Sequence, residues 1–175
     1  MKRMMVDIET LGLKKPAPIF EIGYVVFDEK GNIYAQRQID IDLLDCMFET
    51  GFMPNKNTLD WWREQEYNPN EAPSRQSLSV ALNMLSNAIA EHEVQEIWAN
   101  SPQFDLEHLE THYDAVGIPV PWTHKMPRDY RTMKAVLGWN GKDQAADQHN
   151  ALADATHQTS ELIDMMTQDR GRIWF

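Results

Sequence analysis

The chain has 175 residues, 42% apolar and 25% charged, with a net charge of −11 and one cysteine, Cys46. That length suits a single domain spanning 1–175, and the composition is that of an ordinary globular protein. One cysteine excludes an internal disulfide and a cysteine-rich metal knot, and no apolar run reaches membrane-spanning length. Lys2 and Arg3 precede no apolar stretch of secretory-signal length, so the expected location is the cytoplasm. The acidic balance argues against a general nucleic-acid binder, which is usually basic. That objection weakens if some acids are metal ligands, because four carboxylates around two divalent cations offset about four charges locally.

In chain order, Val6 and Ile8 alternate with Asp7 and Glu9, a period of two that predicts a strand. Ile19 to Phe27 is rich in β-branched and aromatic residues and predicts a second strand. Asp28 to Asn32 reads as a turn, and Ile33 to Ile41 as a third strand, completing an antiparallel meander. Asn57 to about Tyr67 predicts a short helix, and Asn68 to Ser74 a loop with two prolines, Pro69 and Pro73. Leu78, Leu82, Leu85 and Ile89 recur at helical spacing, with Ser74 or Ser77 as N-cap. Val94 to Ala99 reads as a buried strand. Further helices are predicted over Phe104–Val116, Tyr130–Leu137 and Asn150 to about Gln168. Meander strands followed by alternating helices and strands predict a mixed α/β sheet packed by helices.

Three segments carry chemistry. Residues i and i+2 of a strand share a face, so Asp7 and Glu9 point together while Val6 and Ile8 pack on the other side. Two carboxylates that close repel each other unless they are protonated or bind a cation. An edge strand with its acids in water is the plainer alternative for this pattern alone. Asn100-Ser101-Pro102-Gln103-Phe104-Asp105 leads into a helix whose N-terminus tolerates an anion at Asp105. His149 and Asp154 are five apart, about 140° on a helix. Both can face one site only if His149 lies in the loop or first frayed turn, with Asp154 one turn inside. Asp147, Gln148 and Asn150 suit such a boundary.

Together these segments resemble the DnaQ-like (DEDDh) 3′–5′ exonucleases: D-x-E at Asp7 and Glu9, Asn then Phe-Asp at Asn100, Phe104 and Asp105, and H-x4-D at His149 and Asp154. The resemblance implies an RNase H-like fold: an antiparallel meander of three N-terminal strands plus parallel strands, packed by helices. It implies two divalent ions, Mg²⁺ or Mn²⁺, on Asp7, Glu9, Asp105 and Asp154, hard cations that favour carboxylate oxygen. Asp7 is then the bridging ligand, Glu9 and Asp154 serve the ion that activates water, and Asp105 the other. His149 is the expected general base, since imidazole titrates near neutrality. The implied partner is single-stranded nucleic acid, RNA or DNA, with a free 3′ end. The backbone at Thr10 and Leu11 is expected against the terminal nucleotide. Thr58-Leu59-Asp60-Trp61-Trp62 and Arg128-Asp129-Tyr130-Arg131-Thr132 also resemble segments of small RNase T-like exoribonucleases and related phage exodeoxyribonucleases, among which homodimers are common.

Neighbouring Trp61 and Trp62 point about 100° apart, so one is expected in the core and the other to pack at the surface or stack on a base. Arg128, Arg131 and Lys134 at spacings of three read as a basic ridge for phosphates, a solvated face or a dimer contact. His108 and His112 match no zinc-enzyme order and are expected at the surface, while Asp114, Asp143, Asp147 and Asp164 are expected in solvent. Two rival functions stay open: a nuclease restricted to very short oligonucleotides, and a non-catalytic DnaQ-like binding module.

Overall fold

A computed structural model describes residues 1–65, 74–139 and 149–168. The elements are β1 (Lys2–Thr10), β2 (Ile19–Asp28), β3 (Ile33–Ile41), α1 (Leu43–Thr50), α2 (Lys56–Glu64), β4 (Arg75–Gln76), α3 (Leu78–Glu91), β5 (Glu96–Ala99), α4 (Asp105–Val116), β6 (Pro127–Asp129), α5 (Tyr130–Leu137) and α6 (Ala151–Gln168). The sheet order is β4-β3-β2-β1-β5-β6. β1, β2 and β3 form the expected antiparallel meander, and β4, β5 and β6 join in parallel. The chain therefore has the mixed, helix-packed sheet its periodicities predict.

The alternation of β1 divides the core. Met4, Val6 and Ile8 pack with Leu78, Leu82 and Leu85 of α3 and Leu109 and Tyr113 of α4. Each such buried leucine contributes about 1.5–3 kcal/mol. Met5 projects to the opposite face, with Val25, Phe27 and Trp98, under Ala155, Leu162 and Met165 of α6. Asp7 and Glu9 continue that second face toward the strand end. A smaller cluster of Leu11, Phe20, Leu43 and Trp62 ties α1 and α2 to the same end of the sheet.

Ser77, not Ser74, caps α3, its hydroxyl accepting from the Val80 amide at 3.3 Å. α1, β4 and β6 have no counterpart in the elements expected from sequence. α2 starts one residue earlier than expected, with Asn55 as its cap. The expected end of that helix at Tyr67, residues 68–73 of the expected loop, Asp143, Asp147 and Gln148 lie outside the described residues.

His108 and His112 depart from expectation: they are 1% and 0% exposed. Both lie on the inward side of α4, where His108 meets the Phe104 ring and His112 the edge of Phe52. Each Nδ1 reaches the carbonyl four residues back, at Phe104 (2.9 Å) and His108 (2.7 Å), which replaces one lost water contact. Asp114 and Asp164 are exposed, as expected. No described helix is long and apolar enough to cross a membrane.

Candidate active site

The start of α6 is nailed to the meander. Asn150 caps the helix by accepting from the Ala153 amide at 2.9 Å, and its Nδ2 donates to Gln38 on β3 at 2.7 Å. The Ala151 amide donates to Glu21 on β2 at 3.2 Å. Gly23, the cross-strand partner of Asp7, lies directly beneath. A Cβ at that position would stand 2.1 Å from the Ala151 carbonyl carbon, so only glycine lets the helix settle here. His149 precedes the helix with φ 75°, and Asp154 lies within its first turn, where its amide bonds the Asn150 carbonyl. The five-residue spacing is thus reconciled by the loop-to-helix boundary.

This docking brings Asp154 over β1. Carboxylate oxygens of Asp7, Glu9 and Asp154 lie within 4.8 Å of one another. Asp105, the first residue of α4 and 4% exposed, lines the same cleft but stands outside that tight trio. Asn100 and His149 also line it. Burial raises the Asp7 carboxyl to about 7, with Asp154 adding to the rise and a bond from Gln158 opposing it. Burial, then the charges of Asp7 and Glu21, raise Glu9 to about 9. Burial also raises Glu21 to about 7, and burial with Asp7 holds Asp105 well above the usual carboxylate range. Acids crowded out of water in this way are stabilised by a cation, and an all-oxygen trio suits a hard divalent ion.

The cleft holding these acids has a volume of about 550 Å³. Its far wall carries Arg131, Lys134, His157 and Glu161. Glu161 is buried under four partners: the Tyr130 hydroxyl, Lys134 at 3.0 Å, the Trp139 indole at 3.1 Å and His157 at 3.6 Å. Arg128 is turned away to Glu96 at 3.2 Å, so the three basic residues make no common ridge. Arg131 is exposed, and its charge is felt at Asp105.

A second cleft, about 510 Å³, adjoins the first through Ile8, Glu9, Phe104 and His149. Thr10, Leu13, Asn57, Thr58, Trp61 and Trp62 complete it. Trp62 is the core member of the pair, 3% exposed, its indole donating to the Thr10 carbonyl at 3.0 Å. Trp61 is 37% exposed. The His149 ring stands edge-on to both, 4.6 Å from Trp61 and 5.6 Å from Trp62. Leu11 departs from expectation: it is fully buried, its amide bonds Pro18 and its carbonyl accepts from Asn55. Leu11 lines neither cleft.

Sequence reasoning missed Glu21, Gln158, Glu161 and Leu13. Glu21 carried the same signal as Asp7, an acid inside an apolar strand. Gln158 and Glu161 follow Asp154 at four and seven residues, one helical face. Leu13 carried no signal.

The description "3′–5′ exoribonuclease Rv2179c-like domain" matches residues 2–165. No curated protein matches the chain by sequence. The fold resembles E. coli Exonuclease I in complex with a dT13 oligonucleotide, with a TM-score of 0.73 and 14% identity over 97% of this chain and 42% of that one. It also resembles the nuclease domain of 3′hExo, a DEDDh family member bound to rAMP, with a TM-score of 0.55 and 14% identity over 97% of this chain and 92% of that one. The chain therefore spans 42% of the length of the Exonuclease I chain. At such identity these likenesses carry the fold, the RNase H-like mixed sheet expected from sequence. With nearly its whole length matched by that family model, the chain belongs to the 3′–5′ exoribonuclease Rv2179c-like domain family.

Proposed function

We propose that this chain is a metal-dependent 3′–5′ exonuclease that hydrolyses single-stranded nucleic acid from a free 3′ end and releases 5′-mononucleotides. The observation that carries this reading is the convergence of Asp7, Glu9 and Asp154 on one point, with Asp105 and His149 at the same cleft. Asp7, Glu9 and Asp154 would hold one Mg²⁺ or Mn²⁺, and Asp7 with Asp105 a second. The bound ions would supply charge stabilisation for the attacking and leaving oxygens. His149 takes a proton from the attacking water at a ring nitrogen, while contacts with Trp61 and Trp62 hold the ring in place. Water oxygen bonds to phosphorus, the bond from phosphorus to the 3′ oxygen breaks, and that oxygen takes a proton from solvent water to become the new 3′ hydroxyl, the proton on His149 returning to solvent.

The apolar cleft receives the terminal base. Trp61 lends it a partly exposed ring and Leu13 an exposed side chain. A stacked base contributes about 1–3 kcal/mol. Arg131 meets a backbone phosphate on the far side of the acids. The oligonucleotide and the nucleotide bound by the two structural relatives support a single-stranded substrate. The test is to incubate matched labelled single-stranded RNA and DNA with Mg²⁺ or Mn²⁺ and follow product length. Stepwise 3′ shortening that stops in chelator is expected. Cutting of a circular substrate, or full activity in chelator, would overturn the reading. Activity confined to the shortest oligomers would narrow it.

A further inference from the structure

Gln158 lies one helical turn after Asp154 on α6, so both side chains share the face turned toward β1. It is 6% exposed, although amide side chains are mostly solvated. Its Nε2 donates to Asp7 Oδ1 at 2.9 Å. An ionised carboxylate only accepts, so the amide must turn its nitrogen to Asp7 and its oxygen away. That oxygen, Oε1, is buried without a hydrogen-bond partner among the described residues. Such an unpaired acceptor costs about 1–3 kcal/mol. Asp7, Glu9 and Asp154 cannot relieve it when ionised, being acceptors themselves. The protein thus keeps a half-paired amide here, at the carboxylate central to the cluster.

We propose that Gln158 is a positioning residue for the metal site, an inference that rests on the reading of Asp7, Glu9 and Asp154 as ligands. The Nε2 bond fixes the plane of the Asp7 carboxylate and turns its remaining lone pairs toward Glu9 and Asp154. Oε1 is left to accept from the hydration shell of a divalent ion, and Mg²⁺ usually keeps several of its waters. Groups that orient ligands from behind typically change metal affinity 10–100-fold when removed.

The test uses the whole chain with Gln158→Met, which keeps the volume and removes both polar atoms, and Gln158→Asn, which is one methylene too short to reach Asp7. Mn²⁺ is titrated while the rise in melting temperature is followed, and single-turnover cleavage is measured over the same Mn²⁺ range. The Mn²⁺ concentration at half-effect should rise about 10–100-fold in both readouts, with much of the rate returning at saturating Mn²⁺. Ser160→Ala, on the exposed side of α6, should leave the titration unchanged. If Gln158→Met does not fold, Gln158→Asn carries the same prediction. A variant that melts lower without Mn²⁺ yet responds at the wild-type concentration would show a structural role only and overturn the inference. Asp7→Asn separates the two levels. If it too keeps the wild-type Mn²⁺ response, the metal reading itself fails. If it loses that response while the Gln158 variants keep it, only the present inference fails.

Discussion

The two clefts share Glu9 and His149 and are built from opposite materials. One gathers carboxylates from three separate elements, β1, α4 and α6, around a point where charge is costly. The other gathers indole rings and a leucine from α2 and the segment after β1. The acids are borne by elements the sheet itself locks in place: α6 sits on Gly23 and is tied to Glu21 and Gln38. The apolar residues stand on a short helix and a connecting segment, where Trp61 and Leu13, unlike the buried Trp62, can change with little effect on the core. Under the proposed function, the polar cleft would set the rate of bond breaking and the apolar cleft which 3′ end is held.

The sharpest break comes at Asp7. Asp7→Asn should abolish cleavage and the Mn²⁺ response, because the central ligand is gone. The metal-free protein should melt no lower than wild type above pH 7. Burial raises the Asp7 carboxyl from 3.8 to about 7. Its charge therefore opposes folding increasingly from about pH 4 upward and fully above about pH 7, and a neutral amide removes that opposition. A loss of several kcal/mol in urea unfolding of the metal-free variant would assign Asp7 to the scaffold instead.

Next in size is His149, which touches both clefts. His149→Ala should slow single-turnover cleavage about 10²–10⁴-fold, the usual worth of a positioned base. The Mn²⁺ titration should stay at its wild-type midpoint, since His149 stands outside the carboxylate trio. Near-wild-type turnover would remove His149 from the chemistry, and rescue by high Mn²⁺ would make it a ligand.

The division between clefts also explains which parts were legible in the sequence. β1 and β3 were readable from alternation, with Asp7 and Glu9 standing out in β1, while β2, buried on both faces, was readable from its β-branched and aromatic residues. α3 was readable from leucines at helical spacing and a serine cap. α1 was not: it buries Leu43 and Cys46 while exposing Leu44 and Phe48, so its apolar residues mark no single face. β4 and β6 are two and three residues long and exist only through pairing with β3 and β5. The acids could be found because residue type announces their chemistry. The apolar wall could be found only in part, since a leucine such as Leu13 looks the same in a core, a cleft or solvent. Of the readings left open for Arg128, Arg131 and Lys134, a common ridge does not form, because Arg128 pairs with Glu96 and Lys134 with Glu161, and spacing predicts a shared face but not a shared partner.

A gentler test addresses the apolar cleft alone. Trp61→Ala should weaken binding of single-stranded substrate by roughly 5–150-fold, the equivalent of 1–3 kcal/mol for one stacked base. Catalysis at saturating substrate should fall much less, because Trp62 still flanks His149 at 5.6 Å. Steady-state kinetics on a short RNA checks this. A variant with unchanged KM and a collapsed kcat would mean that Trp61 serves the histidine and not the base.

The smallest effect on activity is expected outside both clefts, on α4. Its first residue, Asp105, faces the polar cleft, while His112 two turns on is fully buried against Phe52. Burial lowers the His112 imidazole from 6.5 to about 4, the bond to the His108 carbonyl opposing the fall. The folded chain therefore stays unprotonated at this site between about pH 6.5 and 4, while the unfolded chain takes up a proton. Stability should fall as pH drops through that window and level off below it, by roughly 3 kcal/mol in all. Urea unfolding of His112→Leu and wild type at pH 7, 6 and 5, both without metal, checks the sign. The carboxylates contribute equally to both chains, so the difference reports His112. The variant should lose less stability on acidification, by up to about 1.4 kcal/mol per pH unit. Parallel pH profiles would mean that His112 gains a partner for its second nitrogen when protonated, and that acid loss of activity must be sought in the clefts alone.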